Sequence, residues 1–195
     1  MPMNLILASS SPRRQELLRA ARIPFTAEAS NIPEDPLPGE RPLQFSERLA
    51  VEKARKVWSS NSSHNAVVLA ADTIVVVDQH ILNKPVDSDD AARMLRMISG
   101  RRHEVTTSVC LLGMRIEEVR SETTMVEVTN ISEDEIREYV ATGEPMDKAG
   151  AYAIQGMASR WIPRIEGDYA NVVGLPVALV CQMLAALSLK LTARN

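Results

Sequence analysis

Ser9-Ser10-Ser11-Pro12-Arg13-Arg14 places three hydroxyls and two guanidinium groups in six residues, directly after the apolar run Leu5-Ile6-Leu7-Ala8. Leu17, Leu18 and Ala21 then recur at helical spacing, so this run occupies a strand-to-helix junction. Ser11 suits the N-cap and Pro12 the first helical position, where a missing N–H costs nothing. Unpaired N–H groups and the positive end of the helix dipole attract phosphate at such a start. The hydroxyls of Ser9 and Ser11 and the guanidinium of Arg13 or Arg14 would add charge-assisted donors. An N-cap serine followed by two solvated arginines fits the same residues, and this run alone does not separate the two readings.

Ala70-Ala71-Asp72-Thr73 brings a carboxylate to the end of a short apolar strand. Strand ends in α/β sheets present side chains to a crevice, which makes Asp72 a candidate metal ligand or general base; the other reading is a turn-forming Asp. Glu34 in a proline-rich loop, Lys53 in Glu52-Lys53-Ala54 and Lys84 before Pro85 read, one at a time, as solvated charges. Asp147-Lys148 reads as a turn with a paired surface charge. His64, His80 and His103 have no metal-ligand spacing, and Trp58, Trp161, Met94 and Met97 fall at packing positions. The motifs GxxxxGK[ST], GxGxxG after a strand, HExxH and paired CxxC are absent, which disfavours P-loop, dinucleotide and zinc chemistries.

The elements that must hold these groups alternate. Asn4 to Ala8 reads as a buried strand, followed by the helix after Ser11. Residues 31 to 42 hold four prolines and read as an irregular loop before a long helix over roughly 43 to 58. Ala66 to Ala71 reads as a buried strand, with Thr73 to Val77 continuing extended toward a turn at Asp78-Gln79-His80. Ser88 is expected to cap a helix that stops at Gly100. Two β-rich stretches follow, about 103 to 113 and 115 to 129, and Ser132 to Glu135 is a capping box opening a helix that ends near Gly143. Glycines 150, 156, 167 and 174 are expected to punctuate short strands before a C-terminal amphipathic helix at Pro176. Interleaving of this kind predicts an α/β or α+β domain with a mixed sheet.

Composition sets the outer limits. With 195 residues, 45% hydrophobic and 24% charged, the chain suits one compact unit or two small lobes sharing a core. Lys and Arg number 22 against 25 Asp and Glu, so no overall positive field draws it to nucleic acid or anionic lipid. Cys110 and Cys181 are too few and too far apart for a disulfide framework, which suits a reducing compartment. The first apolar run is too brief for a secretory or membrane-spanning segment.

Taken together the residues resemble the Maf family, septum-formation-inhibitor-like proteins. LILASSSPRRQELL, ERLAVEKA, AADTIVVVD followed by LNKP, RMISGRRHEVTT, EPMDKAGAYAIQG and GDYANVVGLP look like that family's blocks, in order, from residue 5 to about residue 176. The resemblance implies a single domain over residues 1 to 195 with an elongated mixed α/β sheet flanked by helices, two lobes and a cleft, like the inosine-triphosphate pyrophosphatase group. It implies a cytoplasmic homodimer that hydrolyses a nucleoside triphosphate at the α-phosphorus with a divalent cation, Mg or Mn. Carried over, Ser9, Arg13 and Arg14 would hold phosphates, Lys53 and Lys84 would neutralise them, and Glu34 and Asp72 would coordinate the metal, with Asp72 catalytic. One departure is Pro33, which stands where the family commonly has a second acid.

Arg13, Thr73 and Gln155 resemble the branch of the family that hydrolyses dTTP and UTP. The branch that takes 7-methyl-GTP looks different there, with tryptophan, glutamine and glutamate respectively. A cationic methylated guanine favours an aromatic face and a carboxylate, whereas a neutral pyrimidine edge is matched by an amide that both donates and accepts. The alternative functions are 7-methyl-GTP hydrolysis and a nucleotide-responsive regulatory module in septum formation.

Overall fold

The computed structural model describes residues 4–61 and 66–192; His64 lies outside the described residues. In chain order the regular elements are β1 (Asn4–Ala8), α1 (Pro12–Ala20), β2 (Thr26–Glu28), α2 (Pro42–Ser60), β3 (Ala66–Val77), β4 (His80–Leu82), α3 (Ser88–Ile98), β5 (Arg102–Gly113), β6 (Ile116–Glu127), α4 (Glu133–Ala141), β7 (Arg164–Glu166), α5 (Tyr169–Val173) and α6 (Val177–Thr192). The strands form one mixed sheet in the order β2-β1-β3-β5-β6-β7, with β4 paired to β3. The α/β class with a helix-flanked mixed sheet is therefore the architecture of this chain.

The chain divides into two compact units. The first comprises the described residues of Met1–Asp72, Thr107–Glu122 and Gly174–Asn195; the second comprises Thr73–Thr106 and Thr123–Val173. In the first unit β1 runs parallel to both β2 and β3, with Leu7 opposite Leu69. Alternation along these strands divides the apolar residues between two layers. Leu5, Leu7, Leu69, Ala71 and Leu111 pack with Leu18 of α1 and with Val180, Met183 and Leu187 of α6. Ile6, Ala8, Val68, Ala70 and Cys110 pack against Ala50, Ala54 and Val57 of α2.

The second unit has its own core, built from Val75, Leu82, Leu95, Ile98, Val105, Val126, Ile136 and Trp161. Tyr139 and Trp161 meet edge to face there, with ring centroids 5.2 Å apart.

Several elements differ from the sequence reading. The three-residue strands β2 and β4 are too short to carry a periodic signal. His80, expected in a turn, opens β4; Asp78 and Gln79 alone make the hairpin, both with positive φ, as the two central positions of a tight hairpin turn require. Asp87 caps α3 by accepting from Asp90 N at 2.8 Å, and Ser88 is its first residue. The stretch expected to hold several short strands is mostly 3₁₀ turns, Glu144–Asp147, Ala149–Ala151 and Met157–Trp161, with β7 the one strand assigned there. Left-handed Gly150 and Ala151 break any extended run, and a Cβ on Gly150 would lie 2.9 Å from the Val75 side chain.

Candidate functional site

Asp72 lies in the interior of a strand. Sequence reading placed it at a strand end, but it is the seventh of the twelve residues of β3. The apolar run does not stop at Ala71 because Ile74 to Val77 are buried as well, with Val75 and Val77 in the core of the second unit. Pairing with β1 covers Ala66 to Leu69 and pairing with β4 covers Val75 to Val77. Asp72 thus sits between these two ladders, and the crevice logic of a strand terminus applies at the end of β1 instead.

Side-chain alternation puts Asp72 on the same face as Ala66, Val68 and Ala70, the face covered by α2. Ala50, Lys53, Ala54 and Val57 recur on α2 at the spacing of one buried stripe. Lys53 is therefore carried into the core rather than solvated. Its Nζ donates to Asp72 Oδ1 at 2.6 Å and lies 2.6 Å from Glu34 Oε1. Glu34 comes from the irregular loop and keeps 41% of its side chain exposed. Asp72 Oδ2 is buried and has no hydrogen-bond partner among the described residues. An orphaned carboxylate oxygen at this depth is costly unless another group takes its lone pairs.

The end of β1 supplies the second part of the cluster. Leu7 faces Leu69, and two further residues along each parallel strand bring Ser9 level with Ala71, one short of Asp72. Ser9 is buried, and its Oγ accepts from Ser11 N at 3.2 Å. Ser11 caps α1, accepting from Arg14 N at 3.5 Å, with Pro12 at the helix start. Arg14 turns back from this first turn. Its Nε donates to Gly174 O at 2.8 Å and Nη1 to Ser9 Oγ at 3.4 Å. Burial pulls the Arg14 guanidinium below its usual range, the Asp72 and Glu34 charges oppose that shift, and Arg13 adds to it. Arg13 is partly buried beside it.

The first unit thus brings together Ser9, Arg13, Arg14, Glu34, Lys53 and Asp72. Thr73, Lys84 and Gln155 belong to the second unit. Thr73 is partly buried in β3, Lys84 is exposed after β4, and Gln155 is exposed in the turn between two 3₁₀ segments. Gly150 N donates to Asn83 O at 3.2 Å, which ties the segment before Lys84 to the one that leads to Gln155. Glu144 secures that turn, accepting from Tyr139 Oη at 2.9 Å and Met157 N at 3.4 Å. Lys148 pairs with Asp147 and donates to Glu144 O at 2.6 Å, in keeping with a charged turn.

The family model for Maf-like proteins matches residues 4–187. The chain belongs to the Maf family. Among Maf relatives, a dTTP/UTP pyrophosphatase of Koribacter versatilis is 59% identical over 182 residues, 93% of each chain. Proteins of the same name from Symbiobacterium thermophilum and Syntrophomonas wolfei are 52% and 49% identical, the first over 92% of each chain and the second over 92% of this chain and 95% of its own. Among solved structures, the Staphylococcus aureus Ham1 protein aligns with 64% of this Maf chain and 71% of its own at 14% identity and a TM-score of 0.46. Among the described residues no helix is long and apolar enough to cross a membrane.

One group near Asp72 escaped sequence reading. Ser46 of α2 is fully buried and its Oγ donates to Asp72 O at 3.2 Å. Ser108 lies 2.8 Å from Ser46, Ser121 lies 2.9 Å from Ser108, and Ser121 donates to Glu47 Oε1 at 3.2 Å. Single serines are common and spaced far apart here, so only the phase of α2, β5 and β6 could have aligned them.

Proposed function

We propose that this chain hydrolyses dTTP and UTP to the monophosphate and pyrophosphate, with the Ser9, Arg13, Arg14, Glu34, Lys53 and Asp72 cluster handling the triphosphate. The observation that carries the reading is the pair of carboxylates held on one buried lysine beside the anchored Arg14. The names of the relatives support the reaction and its pyrimidine substrates.

Glu34 and Asp72 would hold a divalent cation, Mg²⁺ or Mn²⁺. The orphaned Asp72 Oδ2 and the hard-oxygen donor set fit such an ion. Among the described residues no group of three or more His, Cys, Asp or Glu could hold a metal. Two carboxylates, completed by phosphate oxygens and water, are the usual protein share of a Mg²⁺ site at a nucleotide. When bound, the cation supplies charge neutralisation and Lewis acidity at the phosphate.

The chain's own groups do the rest. Arg14, always cationic and fixed by Gly174 and Ser9, would meet phosphate oxygens without reorganising. Arg13 and Ser9 would add donors at the same helix start. Lys53 would hold the two carboxylates in place in the free protein and neutralise phosphate charge in the complex. Asp72 would orient the attacking water and take its proton. Lys84 would contribute a further cation to the phosphates, and Thr73 and Gln155 would select the base. The Gln155 amide both donates and accepts, matching the acceptor, donor, acceptor edge of uracil or thymine. The family resemblance supports a cytoplasmic homodimer that clears unwanted or modified nucleotides.

The test is turnover of dTTP, UTP, CTP, ATP, GTP and 7-methyl-GTP with Mg²⁺, with Mn²⁺ and with chelator, following monophosphate and pyrophosphate. The expected result is metal-dependent release of pyrophosphate, fastest with dTTP and UTP. Faster hydrolysis of 7-methyl-GTP than of UTP would overturn the substrate assignment. Nucleotide binding without turnover would overturn the enzymatic reading in favour of a regulatory module.

A further inference from the structure

Glu34 stands in a stretch that packing does little to hold, since every residue from Pro33 to Gly39 is exposed. Pro33, Pro36 and Pro38 narrow the backbone's choices without fixing where the loop lies against α2. Polar contacts fix it. Arg48 Nε donates to Glu40 Oε1 at 2.7 Å and Nη2 to Glu40 Oε2 at 2.8 Å, a two-pronged pair in which the Glu40 side chain keeps only 9% of its surface exposed. Nη2 also donates to the backbone oxygen of Asp35, the residue after Glu34, at 3.0 Å. Nη1 meets both oxygens of Glu52, at 3.2 and 3.3 Å, so all five N–H bonds of the guanidinium have an acceptor to face. Glu40 in turn accepts from Leu37 N at 3.0 Å. A single solvated ion pair would hold the loop weakly, whereas this bidentate pair is largely withdrawn from water and carries two backbone contacts with it.

Helix α2 thus holds Glu34 twice, by Lys53 at its carboxylate and by Arg48 at the next backbone carbonyl. The two contacts differ in what a cation does to them. A carboxylate that ligates a metal gives up part of its pairing with Lys53, but the Arg48 contact uses none of the lone pairs a cation would take. We propose that Arg48, locked by Glu40, is a positioning residue that keeps the Glu34 carboxylate beside Asp72 while it exchanges Lys53 for the cation. The proposal rests on the reading of Glu34 as a ligand of that cation. A ligand on an unpinned loop must be ordered at the moment of binding, and that entropy is subtracted from metal affinity.

The test is calorimetric binding of a UTP analogue whose α,β-bridging oxygen is replaced by an imido group, once with saturating Mn²⁺ and once with EDTA. The ratio of the two dissociation constants is the metal-linked gain in affinity. Arg48→Ala should cut that gain about tenfold, the low end for loss of a group that supports a metal ligand, with the metal-free Kd within about twofold of wild type. Arg48→Lys keeps the charge but cannot span Glu40 and Asp35 O at once, and should cut the gain about threefold. Arg55→Ala breaks another two-pronged pair on the same helix, with Glu117, and should change neither constant. Glu34→Ala should cut the gain at least as far as Arg48→Ala. Should Arg48→Ala fail to fold, Arg48→Lys carries the expectation at the smaller size. A wild-type gain in the Arg48 variants beside a reduced one in Glu34→Ala would overturn the proposal alone, as would equal weakening with and without Mn²⁺. No metal-linked gain in wild type, or a full gain in Glu34→Ala, would overturn the Glu34 reading and the proposal with it. Turnover does not enter, so a wild type inactive on every nucleotide would count against the proposed reaction and leave this test in force.

Discussion

Lys53 Nζ sits 2.6 Å from Asp72 Oδ1, and each side chain is more than nine-tenths buried. Neither charge has much water to fall back on, so each depends on the other, and Lys53 also pairs with Glu34, which brings a second anion from a solvated loop. Such a pair adds little net stability against an apolar substitute, but removing one member leaves an uncompensated charge in the core.

Lys53→Met is accordingly expected to destabilise the fold by about 3 kcal/mol, because Asp72 loses its cation and stays buried. Urea denaturation followed by circular dichroism measures it. The double variant Lys53→Met/Asp72→Leu should recover most of that loss while remaining inactive. Equal stability of Lys53→Met and wild type would mean that water or the Arg14 charge compensates Asp72.

Asp72→Asn keeps the shape and an acceptor for Lys53 but can neither take a proton nor offer a charged ligand. Turnover of UTP should fall by at least about a hundredfold, in the range of a lost general base. UTP binding, measured by calorimetry, should weaken by only a few-fold. Full activity would remove Asp72 from the mechanism.

His103 makes a pH prediction in the second unit. It is buried, bonded through Nε2 to Tyr152 Oη at 2.7 Å, and burial lowers its pKa from 6.5 to about 4. Between those values the unfolded chain binds a proton that the folded one refuses. This contribution is therefore fully present above pH 6.5 and is lost as pH falls toward 4. Between pH 7 and pH 5 the loss should be about 2 kcal/mol. His103→Gln should remove that part of the pH dependence, and unchanged urea midpoints in wild type between pH 7 and pH 5 would contradict it.

Gln155 and Lys84 are both exposed, so substitutions there should leave the melting temperature within about a degree. Gln155→Glu sets an acceptor against a base carbonyl and should lower kcat/KM for UTP about tenfold or more. Lys84→Ala should mainly raise KM by weakening attraction to the triphosphate. Unchanged UTP kinetics in Gln155→Glu would mean that the amide does not touch the base.

The helix start at Ser11 and Pro12, the capping box at Ser132 and Glu135, the proline loop and the main strands and helices were legible because each is set by contacts within a few residues. The Lys53 environment was also written locally, since Ala50, Ala54 and Val57 mark the buried stripe that contains it, although a lysine taken singly reads as solvated. Its partner was another matter. Asp72 meets Lys53 only because α2 covers one face of β3, and Glu34 joins them from a loop that has no period to read. The Ser46 chain needs the phases of a helix and three strands to agree at once. Residue periodicity decides which face a side chain takes, and the sequence contains that; which faces meet is decided by strand register and helix packing between residues far apart in the chain, and only the tertiary structure contains those.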